Sequence, residues 1–200
     1  YLRPAAAEAL GHLAHSERSD QIFKLLVGFT KSWDSDLSKN ALEGLRHFNT
    51  PEAWRVIRSY ISDDSWWKRE KVASLLGDYN DPANIELLRQ LFLLGEEDDQ
   101  DVLQAGAESL RKLYGAESLE PDYLIVQSNN LWIEAAEDSI ARLCERGEVE
   151  RILSLLSKLD SSDPSVEEEA VKPLVNALLS RTPLPVAEVA GKLADDNILT

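Results

Sequence analysis

The sequence predicts an all-α fold, an α-α superhelix in which antiparallel helix pairs stack into a solenoid. Three observations lead to this prediction. Apolar residues recur at helical spacing through most of the 200 residues, and one helical pattern returns every 30–35 residues. No segment of comparable length alternates apolar and polar residues with the period of two that marks a half-buried strand.

The repeated pattern is an apolar residue, two spacers and a second apolar residue, with small residues just before it. The apolar pairs are Leu10/Leu13, Leu45/Phe48, Leu76/Tyr79, Leu110/Leu113 and Ile140/Leu143. Their first members lie 35, 31, 34 and 30 residues apart. The small residues are Ala6, Ala7, Ala9, Ala41, Ala73, Ala105, Gly106, Ala107, Ala135 and Ala136. Small side chains on one helix face let neighbouring helices approach closely, as stacked helices require.

A second set of helices, placed between the first, has its own apolar stripe. Its members are Ile22, Leu25, Leu26 and Phe29; Trp54, Ile57 and Ile61; Ile85, Leu88, Leu91 and Phe92; and Val149, Ile152, Leu153, Leu156 and Leu159. Steps of three and four residues are typical of an amphipathic helix with one buried face. Helices this short gain their stability from packing on their neighbours, so we predict two alternating kinds of helix in a stack.

Prolines and glycines mark the helix ends. An N-cap oxygen precedes a proline suited to the first helical position at Thr50-Pro51, Asp81-Pro82 and Asp163-Pro164. A glycine follows a periodic segment, where a left-handed residue ends many helices, at Gly95, Gly115 and Gly147. Both kinds of signal agree with helices of about three to four turns joined by short connections.

The regularity changes in two places. Residues 116–130 contain Pro121 and only a short apolar stretch, which predicts a shortened or irregular helix. We therefore divide the chain into a repeat array over residues 1–160, beginning inside a repeat, and less regular helices over residues 161–200 that continue the solenoid. The second part contains Pro173, which should kink its helix. We expect the sequence to be a piece of a larger protein.

The net charge of the chain indicates which classes of partner it can bind. The formal net charge is −15. Residues 1–50 hold six basic and six acidic residues, so the remaining 150 hold 15 basic and 30 acidic residues. Such a surface repels phosphate backbones, which argues against nucleic-acid binding, and also keeps a protein soluble. No apolar run approaches the roughly 18 residues that a membrane helix needs.

Catalytic and metal-binding patterns are sparse. The single cysteine, Cys144, excludes an internal disulfide and fits an intracellular, cytoplasmic location. His12 and His15 could share a metal at their spacing of three, but no carboxylate lies one turn from both. Phosphate-loop, dinucleotide and nucleophile-elbow motifs are absent. We therefore expect no catalytic residues, no cofactor and no metal.

Residues 63–82 carry a family resemblance. An acidic turn, Asp63-Asp64, is followed by basic Arg69, then Ala73, then Leu76-Gly77, and then Asp81-Pro82. This order resembles HEAT repeats, in particular the short HEAT-like repeats also found in phycobilisome lyases. The resemblance covers roughly residues 1–160 and implies that the Leu-Gly helices line a concave binding face. It also implies a structural, cross-repeat role for Arg3 and Arg69.

Two groups of residues are candidates for partner binding. The Trp66-Trp67 pair precedes Lys68, and exposed tryptophan beside basic residues is typical of interface hot spots. Adjacent helical residues point about 100° apart, so we expect one ring to pack inward and one to be exposed. His12 and His47 occupy equivalent positions in successive repeats. The acidic run over residues 96–101 is interpreted as a solvated loop that places charge at a helix N-terminus.

The leading functional interpretation is a non-enzymatic scaffold that binds a protein or peptide with a partly basic surface. The resemblance leaves two alternatives open, a bilin lyase or chaperone-type protein and, less favoured by the charge, a HEAT-like DNA-binding protein. A changed visible spectrum on mixing with a bilin would identify the first alternative. Binding to DNA at low salt would identify the second.

Overall fold

The computed structural model describes residues 2–93, 97–127 and 134–148. Within these ranges the chain forms α-helices and no β-strand, which confirms the predicted all-α helical solenoid. The helices are α1 Leu2–Gly11, α2 Ser19–Phe29, α3 Ser35–Arg46, α4 Pro51–Arg58, α5 Trp66–Leu76, α6 Pro82–Leu93, α7 Gln100–Tyr114, α8 Glu120–Gln127 and α9 Glu134–Glu145. None of these described helices combines the length and the apolar character that crossing a membrane would need.

The chain divides into two compact units, unit 1 (Tyr1–Ser118) and unit 2 (Leu119–Thr200). Several sequence predictions lie outside the described residues: the boundary at residue 160, the Val149–Leu159 stripe, Asp163-Pro164, the kink at Pro173 and the helix-ending role of Gly95.

Unit 1 has two layers of helices. The first layer consists of α1, α3, α5 and α7, which pack side by side in chain order. In the second layer, α2 packs against α1 and α3, α4 against α3 and α5, and α6 against α5 and α7. Each second-layer helix therefore joins two neighbouring members of the first layer, as the two alternating apolar patterns predicted.

Side-chain caps determine where several helices begin. Thr50 Oγ1 accepts a hydrogen bond of 3.2 Å from Ala53 N, and α4 then begins at a proline. Asp81 Oδ1 accepts one of 2.8 Å from Ala83 N before α6, which also begins at a proline. At the other end of a helix, Gly115 follows α7 with a φ of 83°, a left-handed value that glycine adopts easily. These ends agree with the predicted ones.

One alanine from each predicted set of small residues is fully buried: Ala7, Ala41, Ala73, Ala107 and Ala136. Two apolar predictions are wrong. Leu13 is about half exposed, because α1 ends at Gly11 and Leu13 lies in the turn beyond it. Leu25 is exposed because Ile22 and Leu26 form the buried face of α2.

Glycines set the closest approaches within the first layer. A Cβ atom on Gly11 of α1 would lie only 2.4 Å from the Cα of Gly44 in α3. A Cβ on Gly77, at the end of α5, would lie 2.6 Å from Ser109 Oγ in α7. Between α3 and α5 the pattern differs, because Arg46 follows Leu45 where glycine follows leucine in α1 and α5. Tight backbone packing thus occurs at two of the three junctions.

Ion pairs bridge the remaining junction. Three of them join α3 to α5 or its end: Lys39–Glu70 at 2.7 Å, Lys71–Glu43 at 2.6 Å and Arg46–Asp78 at 2.8 Å. Asp78 also pairs with Lys112 of α7. A carboxylate just beyond a helix C-terminus is disfavoured by the helix dipole, and these two cations offset that effect. Because the pairs join early residues to early and late to late, α3 and α5 run in the same direction.

Unit 2 contains α8 and α9, which pack against each other. α8 has eight residues, in agreement with the shortened helix predicted over 116–130. The Asp122 carboxylate is fully buried, and its Oδ2 atom lies 3.1 Å from Nε of Arg142 in α9. Gly147, with a φ of 79°, lies just beyond the end of α9. An ion pair with a fully buried carboxylate therefore links the two helices.

Candidate functional site

Trp33 lies in the turn between α2 and α3 and is 95% exposed. The turn itself is ordered by hydrogen bonds. Asp34 N donates to Ser32 Oγ at 3.1 Å, and Leu37 N donates to Asp34 Oδ1 at 3.1 Å, which caps α3. A large aromatic side chain is thus held in water beside a well-defined helix start. Sequence reasoning missed Trp33, although a tryptophan directly before an N-cap aspartate was available as a signal.

Trp66 is the first residue of α5 and is 45% exposed. Lys39 Nζ of α3 lies 5.8 Å from the centroid of its ring, within the range of a cation–π contact. The same ammonium group is paired with Glu70. Trp33, Lys39 and Trp66 together form what we call the aromatic edge, at the N-terminal ends of the neighbouring helices α3 and α5.

Trp67 and Lys68 are both less exposed than Trp66. Lys68 Nζ lies 5.3 Å from the ring centroids of both Trp67 and Tyr60, and 3.4 Å from Asp63 Oδ2. Only 9% of Lys68 is exposed. Its charge is therefore neutralised and stacked between rings within the fold. One of the two adjacent tryptophans faces water and the other faces this buried lysine.

His12 and His47 come together just beyond the C-terminal ends of α1 and α3, at the other end of these helices from the aromatic edge. Their ring centroids are 4.1 Å apart, with the planes tilted by 43°. Burial, followed by the positive charges of His12 and Arg46, lowers the pKa of His47, while Glu43 and Glu8 oppose this effect. The fold thus brings the two equivalent histidines into contact.

The five predicted site residues form two groups rather than one. Trp66, Trp67 and Lys68 lie at the start of α5, whereas His12 and His47 lie beyond the C-terminal ends of α1 and α3. α3 has 12 residues, so these ends are about 18 Å apart. A partner would have to span the length of a helix to contact both groups. Their assignment to a partner surface stays a prediction.

A cleft of about 410 Å³ opens beside the α4–α5 turn, and we call it the acidic cleft. Residues that line it include Asp63, Asp64, Arg69, Leu87, Leu91 and Glu97. Arg69 makes two bonds to Glu97, from Nε to Oε2 at 2.7 Å and from Nη2 to Oε1 at 2.9 Å. Its Nη1 atom donates to the carbonyl oxygens of Asp63 and Asp64. Arg69 therefore bonds across repeats, the structural role that the family resemblance implied.

Negative charge dominates this cleft. Hydrogen bonds to Glu97 raise the pKa of Arg69 against the effect of burial, and the nearby charges of Asp98 and Asp99 add to the rise. Burial alone would raise the pKa of Asp63, but a hydrogen bond from Ser65 N and the charge of Lys68 lower it below its ordinary value. The carboxylate of Asp63 and the guanidinium of Arg69 therefore stay charged near neutral pH.

The acidic residues before α7 have two different roles. Asp99 caps α7 by accepting bonds from Asp101 N and Val102 N, as predicted for charge at a helix N-terminus. Glu97, in contrast, is buried, so the prediction of a wholly solvated loop is wrong at this residue. The reason is its two-bond pairing with Arg69, which compensates the cost of burying a carboxylate.

The part of the chain that the structure describes contains no group of three or more histidine, cysteine or acidic side chains that could hold a metal ion. Burial raises the pKa of the Cys144 thiol to about 11, so the thiolate is scarce at neutral pH.

Comparison with known proteins identifies the repeats. A family model described as HEAT repeats matches residues 22–111, from α2 into α7. The chain is also similar to an engineered protein of known crystal structure, at 21% identity and a TM-score of 0.41, over 87% of this chain and 89% of that one. No curated protein matches the sequence. HEAT repeats generally serve as protein-interaction scaffolds and are typically non-enzymatic. With that match and their two-layered stack of paired helices, residues 22–111 form HEAT-like repeats.

Proposed function

We propose that the chain is a non-enzymatic scaffold that binds a protein partner through the aromatic edge. The observation that carries this proposal is Trp33, which is 95% exposed on an ordered turn. A tryptophan buries about 150–250 Å² when it is covered, so leaving it in water forgoes a large hydrophobic gain. A partner that covers this side chain would recover that gain.

The neighbourhood of Trp33 fits a protein interface. Trp66, 45% exposed, begins the next first-layer helix, and Lys39 lies against its ring. Tryptophan is enriched among the few side chains that provide most of the binding energy at interfaces. The turn and helix ends that hold them are hydrogen-bonded, so little conformational entropy would be lost on binding.

The other predicted residues receive supporting roles in this proposal. Trp67 and Lys68 stack on each other and are less exposed than Trp66, so they would support the start of α5 rather than contact the partner themselves. His12 and His47 would contact only a partner long enough to extend to the other end of α3.

The test is affinity capture with three versions of the chain. These are the parent, a Trp33→Ala/Trp66→Ala variant, and a Leu25→Ala/Leu93→Ala control that removes two exposed apolar side chains from the second layer. Circular dichroism establishes that all three are folded. We expect the parent and the control to retain a discrete protein that the tryptophan variant loses.

The captured protein is then purified and its dissociation constant measured. Loss of a hot-spot tryptophan costs about 2 kcal/mol or more, or roughly 30-fold in affinity for each residue. Equal affinity of the folded tryptophan variant and the parent would contradict the proposal.

Two finer questions stay predictions. The bilin-lyase and DNA-binding alternatives are tested by the visible spectrum of a bilin mixture and by DNA binding at low salt. An intracellular location is also a prediction, and microscopy of the tagged protein tests it.

A further inference from the structure

We infer that the acidic cleft binds a single lysine or arginine side chain of the protein partner. This inference rests on the proposed scaffold function and adds to it the chemistry of a second contact. The acidic cleft lies next to the aromatic edge, because Asp63 and Asp64 directly precede the α5 N-terminus at which Trp66 is found.

The size and walls of the cleft suit a long cationic side chain. Its volume of about 410 Å³ lies within the range of specific ligand sites, roughly 300–1,000 Å³. Leu87 and Leu91 of α6 supply an apolar wall, and Ile61 continues it from the α4–α5 turn. Lysine and arginine carry an aliphatic stem that packs on apolar surface while the charged head meets polar groups.

The charges leave a carboxylate available for that head. Arg69 is already engaged by Glu97 through two hydrogen bonds, so it is not free to neutralise another acid. Asp63 is bonded to Ser65 N and lies near Lys68. The side chain of Asp64 is exposed and makes no hydrogen bond or ion pair to any described residue.

Other ligand classes fit less well. A phosphate or other anion would meet Asp63, Asp64 and Glu97 against one guanidinium that is already paired. An uncharged apolar ligand would take these carboxylates out of water without a compensating charge. Among the described residues, the acidic side chains do not converge into a group of three that could hold a metal ion.

The test uses two short peptides as probes and the full chain labelled with ¹⁵N. One probe is acetyl-Ala-Ala-Arg-Ala-Ala-amide, and the other carries citrulline, a neutral analogue of nearly the same shape, in place of arginine. Amide chemical shifts are followed up to roughly 5 mM peptide, a range suited to millimolar affinity. We expect saturable shifts at residues 61–69, 87–91 and 97–98 with the arginine peptide and none with the citrulline peptide.

Matched variants assign the effect to the cleft. Asp64→Asn should weaken arginine-peptide binding by roughly two- to five-fold, the effect of one partly exposed ion pair. Asp20→Asn, an equal charge change at an exposed position of α2, should leave binding unchanged. Equal weakening by both variants would mean attraction by the overall charge alone and would overturn the inference. Equal binding of the citrulline peptide, or shifts confined to other regions, would overturn it as well.

The outcome separates the two proposals. The probes carry no aromatic side chain, so Trp33→Ala/Trp66→Ala should bind the arginine peptide as the parent does. If the chain captures a partner through the tryptophans but no peptide binds in the cleft, only the inference about the cleft is refuted. If the peptide binds in the cleft but the tryptophan variant captures the partner as well as the parent does, only the proposal about the aromatic edge is refuted.

Discussion

Replacing Gly77 by alanine should destabilise unit 1 by separating α5 from α7. The added Cβ would lie 2.6 Å from Ser109 Oγ, 2.8 Å from its Cβ and 2.9 Å from its Cα. The Ser109 hydroxyl cannot move aside freely, because it donates a 2.7 Å hydrogen bond to the Ala73 carbonyl. Ordinary contact distances would therefore require the helices to separate by about 1 Å.

The magnitude follows from two opposing effects. Overpacking of this kind costs about 1–3 kcal/mol. Exchange of a helical glycine for alanine returns about 0.5–1 kcal/mol, less at a helix end. The net loss is therefore about 1–2 kcal/mol, or roughly 2–8 °C in Tm for a chain of this size.

Gly28 provides the matched control within the same unit. It lies in α2 with no heavy atom within 4 Å of an added Cβ, so Gly28→Ala should leave stability unchanged or raise it by up to about 0.5–1 kcal/mol. Urea unfolding followed by circular dichroism measures both variants. A double-mutant cycle with Ser109→Gly should recover part of the Gly77→Ala loss, because it removes the clashing side chain. The packing argument would be refuted if Gly77→Ala and Gly28→Ala changed the free energy of unfolding equally. It would also be refuted if the effects of Gly77→Ala and Ser109→Gly were strictly additive.

Three further predictions concern charge and burial. Arg142→Ala should destabilise unit 2 by about 1–3 kcal/mol in urea unfolding, because it removes the cation from a fully buried Asp122; an unchanged midpoint would contradict this. Cys144 should react with a thiol reagent only after unfolding, since its pKa is raised to about 11, and prompt reaction of the folded chain would show otherwise. The pKa of His47 is lowered in the folded chain, so on acidification His47 is protonated at a higher pH in the unfolded chain than in the folded one. Stability is therefore lost as the pH falls through the ordinary pKa of 6.5 toward the lower pKa of the folded chain. His47→Gln should therefore lose less stability than the parent between about pH 7.5 and pH 5.5, and parallel losses would exclude this linkage.

The sequence predicted the stack well because its signals are local. Thr50 and Asp81 mark helix starts through bonds to residues two or three positions away. The buried alanines follow from helical periodicity alone. Leu13 was mispredicted because the apolar pattern continues to Leu13, whereas α1 ends at Gly11.

The candidate site depends on contacts between residues distant in the sequence. Trp33 directly precedes an N-cap aspartate, but its exposure to water, and the packing of Trp67 on a buried lysine, depend on the neighbouring helices. Similarly, Glu97 belongs to an acidic run that looks solvated, and only its pairing with Arg69, 28 residues earlier, buries it. The family resemblance did indicate a structural role for Arg69, but not which acid it would bind.

The uneven junctions of the first layer have a mechanical consequence. Where Gly11 meets Gly44, and where Gly77 meets Ser109, backbone atoms are in contact and any tilt would force them together or open a void. Between α3 and α5 the bridges are ion pairs with long, flexible side chains, which can rotate and exchange partners at small cost and weaken in salt. Unit 1 therefore has two stiff junctions between first-layer helices and one more compliant junction. A force applied along the unit should mainly move α3 relative to α5, and thus move Trp33, just before α3, relative to Trp66, at the start of α5.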